Sequence, residues 1–163
     1  MAIKYHNVHW LWLSLAVIVI DQITKQLVFI NLEPYETLRL LPVFNLTHMR
    51  NTGAAFSMLS SASPLFFIAL GVAVSIGILI WLRRHPQGET PVAVGLALIL
   101  GGALGNVIDR AYRGYVVDFL DFHIGECGWC HWPAFNVADS AIVIGAGLLV
   151  WDMFRKRDPA RSG

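Results

Sequence analysis

Charge is what this sequence is short of. Of its 163 residues only 14% are Asp, Glu, Lys or Arg, while 56% are hydrophobic, a balance that leaves a soluble fold of this size too little polar surface. One apolar stretch, residues 64–82, holds no charge at all. Three others, residues 10–30, 91–110 and 136–154, are nearly as apolar, and each approaches the roughly 20 residues that cross a bilayer core. A soluble chain can hide one such helix but not four. No small-residue cleavage site follows the first run, and Asp21 and Lys25 interrupt it, so it reads as a retained membrane helix and not a cleaved leader. The chain also lacks an internal repeat, a low-complexity segment or a linker long enough to separate domains. Residues 1–163 are therefore read as a single domain, mainly α and integral to the membrane, with four transmembrane helices.

What basic charge there is lies unevenly. Lys4, Arg83, Arg84, Arg155, Lys156, Arg157 and Arg161 flank one set of helix ends, whereas the other two loops hold only Arg39, Arg50 and Arg113. An excess of Lys and Arg marks the cytoplasmic side, so both termini are expected there. Trp10, Trp12, Trp81 and Trp151 fall at the cytoplasmic ends and Tyr112, Tyr115, Trp129 and Trp132 at the outer ones, as aromatic belts do. Two outer segments follow, residues 31–63 and 111–135. Within the first, residues 37–56 favour β structure broken by Pro42 and Gly53, which predicts a small β element between the first and second helices. Gly101, Gly105, Gly145 and Gly147 supply small residues through which the third and fourth helices can approach closely.

Ionisable groups inside spans cost about 2.5–3.5 kcal/mol each on insertion scales, and each needs a reason. Asp21 and Lys25 are four apart with the acid first, the spacing of an internal ion pair, and are read as a structural pair. A second cluster is Asn106, Asp109 and Arg110, followed by Asp118. Asp109 reads as a polar helix end solvated by head groups, which leaves Asn106 unexplained. In the third cluster Asn136 suits a helix cap, and Asp139 three residues on would be favoured by the helix dipole. A cap alone would account for Asp139. Topology supplies the competing reading, because Asp118 leaves the third helix on the side where Asp139 enters the fourth. Two carboxyls sharing a poorly hydrated site cannot both ionise cheaply; one keeps its proton while the other activates water, the arrangement for hydrolysing an amide without metal or covalent intermediate. Asp121 competes with Asp118 for this place.

These residues fall in motifs. Asp21-Gln-Ile-Thr-Lys25, Asn51-Thr-Gly-Ala-Ala-Phe56, the run from Gly101 to Arg110, Val116-Val-Asp-Phe119 and Phe135-Asn-Val-Ala-Asp139 occur in order along nearly the whole chain. In this the sequence resembles the lipoprotein signal peptidases, or signal peptidase II. The resemblance implies a membrane aspartic endopeptidase that cuts a diacylglyceryl-modified prolipoprotein on the amino side of its lipidated Cys, in the bacterial inner membrane with the active site facing the periplasm. It implies Asp118 and Asp139 as the catalytic pair, Asn51, Gly53, Asn106, Arg110, Asn136 and Ala138 as supporting or substrate-binding residues, and an extracytoplasmic β cradle. It implies no metal or cofactor and no nucleic acid. The partners would be the prolipoprotein and the surrounding phospholipids, with the chain acting as a monomer.

Two rivals come from the residues themselves. An ion path lined by Asp21, Lys25, Asn106 and Asp139 would make a transporter, but such sites sit near mid-membrane, often with repeat symmetry, whereas these acids cluster at one face. The two cysteines, Cys127 and Cys130, precede His131. That spacing admits a disulfide over the active site, a pair of free thiols, a haem attachment or, with His123, a metal site.

Overall fold

The computed structural model describes residues 7–53, 63–84, 89–125, 127 and 130–156. Lys4, Ala54–Phe56, Trp129, Arg157 and Arg161, and most of the short loop after Arg84, lie outside them. Four helices dominate: α1 (Leu11–Asn31), led in by a short 3-10 turn, α2 (Pro64–Arg84), α3 (Thr90–Arg113) and α4 (Val137–Lys156). All are long and apolar enough to cross a membrane. The third runs past Arg110 because Arg113, one turn on, pairs with Asp109 at 2.7 Å. Gly114 then ends it, at a φ of 79° that glycine adopts without strain.

The bundle is built round α3, which packs against α1, α2 and α4. Half of its span is buried, against 17% for α2, so α2 shows lipid most of its surface. Close packing rests on missing side chains. At Gly102 a Cβ would collide with the Ala138 carbonyl of α4, and Gly95 and Gly145 face each other's backbone. Gly101 lies against Ser14 and Val17 of α1, where Ser14 Oγ donates to the Ala97 carbonyl at 2.7 Å. The expectation for Gly147 is corrected, since nothing lies within 4 Å of where its Cβ would be.

At one end of the bundle sits a three-stranded antiparallel sheet, β1 (Thr37–Leu41), β2 (Phe44–Asn51) and β3 (Val116–Phe122), in that order. The β element is thus not confined to the segment between α1 and α2: its third strand comes from between α3 and α4. The strand escapes a search for alternation because Val116, Val117, Asp118 and Phe119 are all buried, on both faces. Val28 of α1 and Val117 and Phe119 of β3 form a small core, closed by Leu32, Leu46 and Val137. That core fixes the sheet to the helix ends. Beyond β3 the chain turns back, pairing His123 with His131 and Leu120 with Phe135 before α4 begins.

Candidate active site

Asn136 organises the site. As the cap of α4 its Oδ1 accepts the Asp139 N–H at 2.9 Å, and the Asp139 carboxylate in turn accepts the Asn136 N–H at 3.3 Å, a reciprocal capping box. The cap reading of Asp139 is correct, but it is half of the arrangement. The Nδ2 of the same Asn136 side chain donates to Asp118 Oδ1 at 2.6 Å. One fully buried amide therefore bridges the start of α4 to β3 and brings the two acids into a shared neighbourhood.

The remaining carboxylate oxygens also face neutral amides. Asn51 at the end of β2 donates to Asp118 Oδ2 at 2.9 Å, and its own oxygen accepts the Gly53 N–H at 3.0 Å. Asn106 of α3 donates to Asp139 Oδ1 at 2.8 Å. Arg110 holds the Gly53 carbonyl at 2.8 Å and lies over the Phe67 ring of α2, so it steadies the chain beside the acids. Burial, and next the Asp139 charge, push the Asp118 carboxyl up to about 7, against the opposing pull of the Asn51 and Asn136 amides and Lys25.

Behind this layer lies a second polar cluster. Lys25, with no exposed surface, pairs with Asp21 at 2.8 Å and Asp109 at 3.0 Å, and Asp109 also pairs with Arg113. The Asp21–Lys25 pair of the sequence is thus part of a four-charge group. Its two acids and two cations balance, as buried charges must. The reading of Asp109 as a solvated helix end is overturned, because its side chain is fully buried and also accepts the Val117 N–H. Gln22 donates to Asp21, Asp109 and the Gly105 carbonyl, each at 3.2 Å. The cluster touches the acids through Asn106, whose oxygen accepts from Lys25 at 3.0 Å, and through Ala138, whose N–H donates to Asp21 at 2.9 Å.

Asp118, Asp139, Asn51, Gly53 and Arg110 line one groove of about 980 Å³. Trp132–Phe135 and a face of α4 including Ile142–Ile144 complete it. Asp121, the competitor of Asp118, is elsewhere: it accepts from Asn45 at 2.8 Å and pairs with His131 at 2.9 Å. Cys127 and Cys130 are joined in a disulfide, which leaves neither sulfur as a thiol for haem attachment or metal binding. Sequence reading carries Gln22 and Phe135 only as motif members and Trp132 only as a belt aromatic; their places beside the charge group and along the groove come from the fold. The i,i+4 spacing of Asp109 and Arg113 was the one available sign of the larger charge group.

Fold and site together define a polytopic membrane protein with a carboxylate pair in a groove at one end of its bundle. The sequence profile described as signal peptidase (SPase) II matches residues 13–155. The lipoprotein signal peptidase of Alteromonas mediterranea is 47% identical over 155 residues, covering 93% of this chain and 84% of the relative. That of Haemophilus ducreyi is 48% identical, covering 93% and 94%. Among solved structures, a bacterial membrane enzyme determined by the in meso method superposes with a TM-score of 0.86 at 29% identity, covering 98% of this chain and 96% of its own. A second superposes at 0.79 with 30% identity, covering 94% and 97%. The chain belongs to the signal peptidase II family, and is accordingly a membrane protease.

Proposed function

We propose that this protein is an aspartic endopeptidase that removes the signal peptide from diacylglyceryl-modified prolipoproteins, cutting on the amino side of the lipidated Cys. The observation that carries the reading is the bridging of Asp118 and Asp139 by Asn136 in a single groove. The Asp118 carboxyl, raised to about 7, holds its proton in a substantial share of the molecules at neutral pH and so can act as the acid. Asp139, held by the Asn106 amide and the helix start, is the carboxylate that takes a proton from water as it attacks the scissile carbonyl. Asp118 then protonates the departing amine. Arg110 and Asn51 keep the walls in register while this happens.

The substrate class follows from the family and suits the groove. Its α4 wall carries Val143 and Ile144, which are 71% and 58% exposed, so a peptide anchored by acyl chains can reach the acids from within the lipid. The Lys and Arg distribution supports cytoplasmic termini and a groove at the outer face of the inner membrane, where the signal peptide of a translocated chain ends. The chain acts as a monomer with phospholipids around it.

The test is cleavage of a diacylglyceryl-modified prolipoprotein by wild type, Asp118→Asn and Asp139→Asn. Both variants should be folded and inactive; near wild-type turnover in either would end the assignment. Full activity in the presence of a strong chelator is also expected, and loss restored by added zinc would point to metal-assisted hydrolysis instead.

A further inference from the structure

The groove wall Trp132–Phe135 is held at its two ends. At one end the Phe135 carbonyl accepts from Phe119 and Leu120 at 3.0 and 2.8 Å, and the Phe135 N–H donates to Leu120 at 3.1 Å, directly before the Asn136 cap. Between the ends stands Pro133, which has no N–H to give to a neighbouring strand. The position of Trp132 and Pro133 against the groove therefore depends on the far end. There Trp132 N–H donates to the Phe122 carbonyl at 2.8 Å, His131 pairs with Asp121, and Asp121 is held in turn by Asn45 of β2. His131 also stacks on His123, with ring centroids 4.8 Å apart. The turn closing this hairpin carries Ile124 N–H to the Cys130 carbonyl at 3.1 Å, Cys130 N–H to the Cys127 carbonyl at 2.9 Å, and the Cys127–Cys130 disulfide.

We propose that the Cys127–Cys130 disulfide is a positioning clasp for the segment 131–135, whose Trp132–Phe135 face the substrate groove, and that a dithiol which opens it weakens substrate binding while leaving the Asp118–Asp139 chemistry in place. The inference rests on the peptidase reading for its kinetic consequence. Both cysteines are half-buried, within reach of a reagent from solvent. Cross-linking removes conformations from the loop, and opening it restores them to a hairpin whose tip is otherwise held by a few hydrogen bonds. A thiolate of the dithiol attacks one sulfur, and the other leaves as a thiolate and takes a proton. The reagent's second thiol then resolves the mixed disulfide, so the cysteine pair gains two electrons and two protons while the dithiol becomes a disulfide. Asp118 sits on β3 and Asp139 in α4 at the end of the hairpin away from the disulfide, where Phe135 stays bonded to Phe119 and Leu120 and the acids are held by Asn51, Asn106 and Asn136.

The experiment compares the oxidised enzyme with the enzyme reduced by dithiothreitol, reduction being verified by alkylation of two thiols per chain. KM for a diacylglyceryl prolipoprotein peptide should rise about fivefold on reduction, the loss of roughly one hydrogen bond's worth of binding, with kcat held within about twofold. Amide exchange at Trp132 should quicken. The Cys127→Ser/Cys130→Ser double variant should show the raised KM with or without dithiol. An unchanged KM in the fully reduced enzyme, or a fall in kcat at constant KM, would overturn the clasp. If the oxidised wild type cut no prolipoprotein at all, the peptidase reading would fail instead, and Trp132 exchange would still decide whether the disulfide holds the strand.

Discussion

Two groups of carboxylates meet through Asn106 and Ala138, and they are accommodated by opposite means. Asp21 and Asp109 face Lys25 and Arg113, charge for charge, with Gln22 filling the remaining positions. Asp118 and Asp139 face three amides, and among the described residues neither forms an ion pair. In the first group every acid already has a cation within ion-pair distance. The second has no cation in contact, and in it burial raises the buried Asp118 carboxyl to about 7. One group holds helices together; the other is left able to do chemistry.

This contrast can be broken most sharply at Asp139. Asp139→Asn keeps the cap geometry, since an amide oxygen can still accept the Asn136 N–H, and kcat should fall by about a thousandfold or more. Thermal unfolding should shift little. A variant that lost stability and kept turnover would reverse the roles assigned to the two groups.

Lys25→Met tests the other side. It removes the cation between two buried acids, and stability should fall by about 3 kcal/mol or more, read from unfolding in detergent. The folded fraction should retain measurable turnover, because Asn106 still reaches Asp139.

Asn51→Ala is a milder change with a defined direction. The amide pulls the Asp118 carboxyl down, so its loss pushes that carboxyl above about 7. If Asp118 acts as the acid, activity declines as pH rises through its titration, and the alkaline limb of kcat/KM should move to higher pH in the variant. An acid limb that moved to higher pH with the alkaline limb unmoved would show instead that the ionised form of Asp118 is the active one.

The smallest effect belongs to Gln22→Leu. Stability should drop by about 1 kcal/mol with kcat unchanged, since the Gln22 amide reaches Asp21, Asp109 and the Gly105 carbonyl and neither Asp118 nor Asp139.

The sequence made some of this legible and hid the rest for physical reasons. Asp21 with Lys25 and Asn136 with Asp139 are local pairs, three or four residues apart, and helical geometry brings them together. The Lys25–Asp109 and Asn136–Asp118 contacts join distant segments, and no spacing announces them. Asp121 stood as a rival to Asp118 while β3 was unrecognised. Once the segment is a strand, residues three apart point to opposite faces, and the two acids separate, one to the groove and one to His131. The four spans were plain from hydropathy alone. The strand linking α3 to the site was not, because a strand buried on both faces reads as another apolar run.

The double duty of Asn136 has a further consequence. Its amide is held by the Asp139 N–H on one side and holds Asp118 on the other, so it seats Asp118 only when the first turn of α4 is wound. A chain whose α4 start has frayed therefore loses the bridge between its two acids. Winding one helical turn and seating an acid on a distant strand are thus a single event.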